Sequence, residues 1–193
     1  MNTLNYTELI KERLRSKEVK ITDNIDPSYR HAAVLIPFFR ENNTLKVLFT
    51  KRTFEVEHHK GQISFPGGAV DSSRDASFLD TALRETEEEI GISSSHVSIL
   101  GQVDDVIAKA SDFIIHPFVG TIPYPCNFRL SRAEVDRIIT VPLDVFDPRN
   151  PVTARDAAGN RNFNTPVYEY QGEFIWGATA RIMANVIQII GDI

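Results

Sequence analysis

The stretch "RETEEEIG", residues 84–91, sets Glu85, Glu87, Glu88 and Glu89 within five positions of a helical pattern. Like charges three or four apart on a helix repel, at a cost of roughly 0.2–0.5 kcal/mol per pair. Projected as a helix, Leu79, Leu83, Thr86 and Ile90 share one narrow arc, while Glu85, Glu88 and Glu89 share a neighbouring arc about 100° wide. One face is expected to pack and the next to present three carboxylates, with Glu87 pointing elsewhere into solvent. Gly91 follows the pattern directly and suits the left-handed residue that ends a helix. A solvated acidic stripe is the plain reading. Against it, Glu88 and Glu89 fall in the last turn, where the negative end of the helix dipole disfavours anions. A divalent cation turns both penalties into binding energy. Hard oxygen ligands on one rigid face suit Mg²⁺ or Mn²⁺, with coordination positions left for water and a substrate phosphate.

The rest of the chain limits what surrounds that helix. At 193 residues it fits one domain, and a domain of this length buries roughly 70% of its unfolded-state surface, enough for a core without staples. The apolar fraction of 42% and charged fraction of 24% are those of an ordinary globular protein, and a net charge of −5 argues against a broad nucleic-acid surface. A polyanion would have to be held in a local pocket by Arg, Lys or metal. One cysteine, Cys126, excludes an internal disulfide and fits a reducing compartment. No signal-like segment and no run of about 18 apolar residues is present, so a cytoplasmic protein with no membrane partner is expected.

Working outward, "TLNYTELIKERLRS" has the spacing of an amphipathic helix within an N-terminal extension, residues 1–29. "HAAVLIPFF" and "LKVLFTKR" read as strands joined by the polar turn "RENNT", a hairpin that begins the sheet. After the glycine-rich "FPGGAVDSSRDAS" loop and the acidic helix come the strand-like "VSILGQVDDVIA" and "FIIHPFVGTI". "SRAEVDRIITVPL" mixes periods and fits a short helix running into a strand. "DPRNPVTARDAAGNRNFNTP" is rich in turn residues and reads as a long surface excursion. "PVYEYQGEFIW" suggests two short strands about Gln171 and Gly172, and "GATARIMANVIQII" a closing helix. Helices separated by hairpin-forming strands imply an α/β (α+β) fold, a mixed β-sheet covered by helices.

"GGAVDSSRDASFLDTALRETEEEIGI" resembles the Nudix box, Gly-x5-Glu-x7-Arg-Glu-U-x-Glu-Glu-x-Gly-U with U a bulky aliphatic residue. Arg84, Glu85, Glu88, Glu89, Gly91 and Ile92 match its second half one for one. In the first half, fifteen residues separate Gly68 from Arg84, two more than the box has, and no Glu precedes the helix. Asp75 is the nearest acidic stand-in, and Thr86 replaces the aliphatic residue. The resemblance implies a single Nudix domain, residues 1–193, as an α/β/α sandwich. It also implies metal held by Glu85, Glu88 and Glu89 with the Gly68 carbonyl, and Arg84 bracing the box through Asp75 or Asp71.

Upstream, "LFTKRTFEVEHHKGQISFPGG" is similar to the signature of the coenzyme A-cleaving Nudix hydrolases. Leu48, Thr50, Arg52, Gly61, Phe65, Pro66, Gly67 and Gly68 match, whereas Phe49 and Thr53 do not, and Glu57 stands where the signature has Arg. "IWGATARI" also looks like the closing helix of that subfamily. A phosphate-bearing substrate needs cations, and Arg52, with Lys51 or Lys60 nearby, can supply them. The adjacent His58 and His59 read as loop residues near phosphate. Gly67 and Gly68 permit close approach of the backbone. The activity implied is metal-dependent hydrolysis of a pyrophosphate linkage, coenzyme A giving 4′-phosphopantetheine and adenosine 3′,5′-bisphosphate. Glu85 or Glu134 is the candidate base for the attacking water. The alternatives are a Nudix pyrophosphatase for ADP-ribose or another nucleoside diphosphate derivative, and a non-catalytic nucleotide-sensing module of the same fold. The partner expected is a small-molecule nucleotide, and a homodimer is compatible with this reading.

Overall fold

The computed structural model describes residues 6–22, 26–55, 60–149 and 166–191. Glu57, His58, His59 and most of the turn-rich excursion after Asp147 lie outside the described residues.

The chain opens with helix α1 (Tyr6–Arg15), whose Ile10 and Leu14 are buried, so the extension contributes to the core. The hairpin of β1 (Arg30–Glu41) and β2 (Thr44–Arg52) follows as expected from the sequence. Its turn is made by Asn42 and Asn43 at φ 46° and 69°, the positive values that a two-residue type I′ hairpin turn demands and that Asn tolerates. From Arg30 to Phe38, β1 also runs parallel to β7 (Phe113–Thr121). That pairing covers one edge of β1 and leaves the other to be shared.

The sharing shapes the site. β2 accompanies β1 only from Phe38 to Glu41. Nearer the start of β1, from Ala32 to Val34, the same edge pairs with β4 (Gly67–Ala69), while β3 (Ile63–Ser64) pairs with β2. The two long strands therefore part near Pro37, which has no N–H to donate, and the "ISFPGGA" segment fills the gap. The Pro66 carbonyl accepts from the Leu35 N–H at 2.9 Å. The eight-stranded sheet is completed by β8 (Val135–Pro142) outside β2 and by β5 (Ser98–Gln102) and β6 (Val106–Ala108) along β7. The segment before β8, read as a short helix, is instead a turn, with the Glu134 and Val135 N–H groups both bonded to the Ser131 carbonyl.

Alternation along β1 and β2 distributes side chains to two helical layers. Ile36, Phe38, Val47 and Phe49 face a core shared with α1 and the closing helix α3 (Gly177–Ile190). Ala33, Phe39 and Leu48 face the acidic helix α2 (Phe78–Ile90) and the segment beyond it. A separate hairpin, β9 (Tyr168–Tyr170) and β10 (Glu173–Ile175), turns at Gln171 and Gly172, both at positive φ. The result is an α/β/α sandwich on a mixed sheet. Beneath the start of α2 lies a buried polar chain: His116 Nδ1 meets Asp105 and its Nε2 meets His31 Nδ1, each at 2.9 Å, and Phe78 stacks on the His116 ring at 3.6 Å.

Candidate active site

Helix α2 is capped at both ends by its own sequence. The Ser77 hydroxyl accepts from the Asp80 N–H at 3.2 Å, and Gly91 closes the helix in the left-handed region at φ 75°, its N–H on the Glu87 carbonyl. The last carbonyls are satisfied by the strand-ward loop, with the Ser131 N–H on Glu89 and the Arg129 N–H on Ile90. That docking brings the 131–134 turn, and exposed Glu134 with it, beside the carboxylates.

The packed face keeps Thr86 and Ile90 of the projected arc but not Leu79 and Leu83. Ala82, Thr86, Glu89 and Ile90 are buried, whereas Leu79 and Leu83 are only half-buried. The reason is the approach of β1 and β4, which rotates the contact toward Glu89. Glu89 is 3% exposed and sits against the glycine loop, its Oε2 3.4 Å from the Gly67 N–H. Glu85 is half-buried beside it, and Glu88 and Glu87 are exposed. The three carboxylates thus run from core to solvent.

The glycine loop closes on this face at van der Waals distance. A β-carbon on Gly68 would lie 2.5 Å from the Glu85 carboxylate, and one on Gly67, whose φ is 151°, would lie 2.3 Å from the Ala33 carbonyl. Gly67 excludes a side chain for both space and backbone conformation, whereas one at Gly68 would have to displace the Glu85 carboxylate.

Arg84 organises the exposed end. Its Nε and Nη2 grip the two oxygens of Asp75 at 2.7 and 2.9 Å, and its Nη1 reaches Glu85 at 2.6 Å and Glu88 at 3.0 Å. Asp75, its side chain 1% exposed, also accepts from Thr81 Oγ1 and the Asp71 N–H. Asp75 therefore fills the bracing role despite the longer loop. The length of Arg84 also carries its guanidinium onto Glu85 and Glu88. Arg74, which nothing in the spacing singled out, donates to Glu88 Oε1 at 2.6 Å.

Charges follow these contacts. The Arg84 hydrogen bonds hold Asp75 well below the usual carboxylate range, and the Arg74 hydrogen bond lowers Glu88. Burial raises Glu85, with Arg84 opposing. Burial pushes Glu89 up to about 8, opposed by the nearby Arg52 guanidinium and the Gly67 N–H and reinforced by Glu85 and Glu134.

Arg52 stands at the end of β2, past a register shift at Lys51, on the side that faces Glu89. Its Nε is buried and has no hydrogen-bond partner among the described residues. Lys51, on the other face, is held by Glu173 at 2.9 Å, and Lys60 is exposed in the turn before β3. A hollow of about 460 Å³ on the outer side of α2 is lined by Asp80, Leu83, Arg84, Glu87, Glu88 and Ser94. Arg52, Gly68, Glu85 and Glu89 do not line it, so it is not the space they face.

Among the described residues no three His, Cys, Asp or Glu side chains stand close enough together to hold a metal ion. Glu85 and Glu89 share the glycine loop, while Glu88 is drawn outward by Arg74 and Arg84. The donor set still fits a divalent cation: Glu85, Glu89 and the Gly68 carbonyl are hard oxygen groups around one loop, and Glu88 shares the Arg84 guanidinium with Glu85. Burial raises Glu89, and a bound cation would oppose that effect by favouring the ionised carboxylate.

A match to the NUDIX domain model covers residues 29–159. The chain is 37% identical over 160 residues to an uncharacterized Nudix hydrolase NudL of Yersinia enterocolitica, spanning 82% of this chain and 80% of that one. It is 37% identical over 164 residues to the NudL of an Enterobacter species, spanning 84% and 83%. Among solved structures, a Nudix hydrolase from Alicyclobacillus acidocaldarius superposes with a TM-score of 0.51 at 21% identity, covering 60% of this chain and 79% of that one. The fold and the braced carboxylate helix define the class: a hydrolase of pyrophosphate linkages. The chain belongs to the Nudix family. Nudix hydrolases generally use divalent cations such as Mg²⁺ or Mn²⁺. No described helix is long and apolar enough to cross a membrane.

Proposed function

We propose that this Nudix hydrolase cleaves the pyrophosphate linkage of coenzyme A or its derivatives, releasing 4′-phosphopantetheine and adenosine 3′,5′-bisphosphate. The observation that carries the reading is Arg52. It is the arginine of the segment that resembles the coenzyme A-cleaving signature, it lies close enough to Glu89 to affect its charge, and its buried Nε has no hydrogen-bond partner among the described residues. A buried donor left unpaired costs about 1–3 kcal/mol. A phosphate oxygen beside the carboxylates would satisfy it.

In this reading Glu85, Glu88, Glu89 and the Gly68 carbonyl would hold Mg²⁺ or Mn²⁺, which would supply charge neutralisation at the phosphates and a more acidic attacking water. Arg52 orients the substrate by charge-assisted hydrogen bonds, with exposed Lys60 able to add a point charge at the entrance. Glu85 or Glu134 takes the water proton as the oxygen attacks phosphorus. The bridging P–O bond breaks, and the bridging oxygen leaves on the other phosphate. The glycine loop keeps the backbone close enough for these groups to converge. Glu89 stays ionised once its counter-charge is present.

The test is a substrate comparison with Mg²⁺ and with Mn²⁺: kcat/KM for coenzyme A, dephospho-coenzyme A and ADP-ribose. Coenzyme A is expected to lead, with dephospho-coenzyme A about 10–100-fold lower, the equivalent of losing ~1.4–2.8 kcal/mol of contacts to the 3′-phosphate. A clear preference for ADP-ribose would overturn the substrate reading and leave the family assignment intact.

A further inference from the structure

Residues 71–75 form one tight turn: the Arg74 and Asp75 N–H groups both bond the Asp71 carbonyl, at 2.9 and 2.8 Å, and Asp71 Oδ1 accepts from Ser73. The turn delivers two adjacent residues of opposite charge onto two α2 residues of opposite charge four apart. Asp75 takes Arg84, and Arg74 takes Glu88. The first pair is buried on the Asp75 side, but the Arg74 and Glu88 side chains are 53% and 44% exposed. One half of the clasp is therefore a brace and the other is free to open.

We propose that Arg74 is a positioning residue that latches Glu88 away from Glu85 and Glu89 and so weakens and gates divalent-cation binding. The latch rests on the reading of Glu88 as a cation ligand. With Glu88 Oε1 on Arg74 and Oε2 on Arg84, both of its oxygens are engaged by guanidinium groups. To join the other two carboxylates it must leave Arg74. Arg84 need not move, because Asp75 holds it from the far side.

An exposed ion pair is weak, so the latch adjusts affinity without abolishing it. Removing it should tighten Mn²⁺ binding about two- to fivefold, or ~0.4–1 kcal/mol by the conversion of ~1.4 kcal/mol per tenfold. Added salt should shrink the difference between variant and wild type, since the pair is screened.

The experiment is Mn²⁺ titration of the full chain by calorimetry and by the electron paramagnetic resonance signal of free Mn²⁺, without substrate, at low and high NaCl. Four proteins are compared: wild type, Arg74→Gln, Arg74→Lys and Glu88→Gln. The expected result is tighter binding by Arg74→Gln, near wild-type binding by Arg74→Lys, which keeps the charge, and weaker binding by Glu88→Gln. Weaker binding by Glu88→Gln with no gain in Arg74→Gln would overturn the latch and leave Glu88 as a ligand. Unchanged binding by Glu88→Gln would overturn the ligand assignment itself, and the latch with it.

Discussion

Arg84 and Asp75 form a two-point ion pair, Nε to Oδ1 at 2.7 Å and Nη2 to Oδ2 at 2.9 Å, that ties the loop before α2 to the middle of the helix. The planar fork matches the carboxylate, and a lysine could not reproduce it. Asp75→Asn should cost about 2–3 kcal/mol, between the values for an exposed and a fully buried pair, because Arg84 retains Glu85 and Glu88. The folded-state acidity of Asp75 is enhanced, so its contribution is present above the unfolded carboxylate range and is lost as pH falls through that range and below. Denaturant unfolding of the two proteins should show a constant gap from pH 5 to 8 that narrows below about pH 4. A gap that stayed constant into strong acid would show that the pair is not its source.

Gly68→Ala tests the contact between the glycine loop and Glu85. The added methyl would have to displace a carboxylate that Arg84 also holds, since the ideal β-carbon position is 2.5 Å from Glu85 Cδ. Turnover should fall by at least tenfold, with Mn²⁺ affinity falling too, while thermal stability changes by no more than about 1–2 kcal/mol. Wild-type affinity and rate in this variant would mean that Glu85 does not need to lie against the loop.

The sequence carried the turns and the helix because each is a local decision. Asn42-Asn43 and Gln171-Gly172 can take positive φ, Ser77 can cap, and Gly91 can end α2 in the left-handed region. The carboxylate helix was legible from periodicity for the same reason. What periodicity could not carry was which strand leans on which arc. Glu89 is buried because β1 parts from β2 near Pro37 and admits the Gly67 loop, a relationship among residues far apart in the chain. The Arg74 contact depends on the shape of a turn, which leaves no period to read. The Asp105–His116–His31 chain was invisible for a third reason. Parallel pairing of β1 with β7 brings His31 and His116 to the same face, and their spacing along the chain gives no sign of it.

The gradient of burial across the carboxylates ranks their substitutions. Glu89→Gln and Glu88→Gln should each lower kcat by orders of magnitude at saturating Mg²⁺, because each removes a hard ligand. Glu87→Gln should change kcat less than about threefold, since its side chain is exposed and its helix contact is made by the backbone carbonyl. Steady-state rates with all three variants, at several Mg²⁺ concentrations, separate lost affinity from lost rate. If Glu87→Gln proved the most damaging, the carboxylate assignment would fail.

The buried Glu89 carboxyl makes the metal-free protein sensitive to pH in a direction that metal should reverse. Its folded-state value of about 8 lies above the ordinary value of 4.5, so the folded state binds the proton more tightly than the unfolded state. That contribution is complete below the unfolded value and is lost as pH rises through about 8. Glu89→Gln, which is neutral throughout, should therefore match wild type near pH 4.5 in EDTA and exceed it at pH 7 by up to about 3 kcal/mol, at ~1.4 kcal/mol per pH unit. Adding Mg²⁺ at pH 7 should stabilise wild type more than the variant, because cation binding requires the ionised carboxylate and displaces its proton. Thermal unfolding of both proteins across pH 4.5–8.5, with and without Mg²⁺, measures the effect. A wild-type-to-variant difference that does not change with pH would show that Glu89 is ionised in the metal-free fold, with Arg52 alone sufficient to hold its charge.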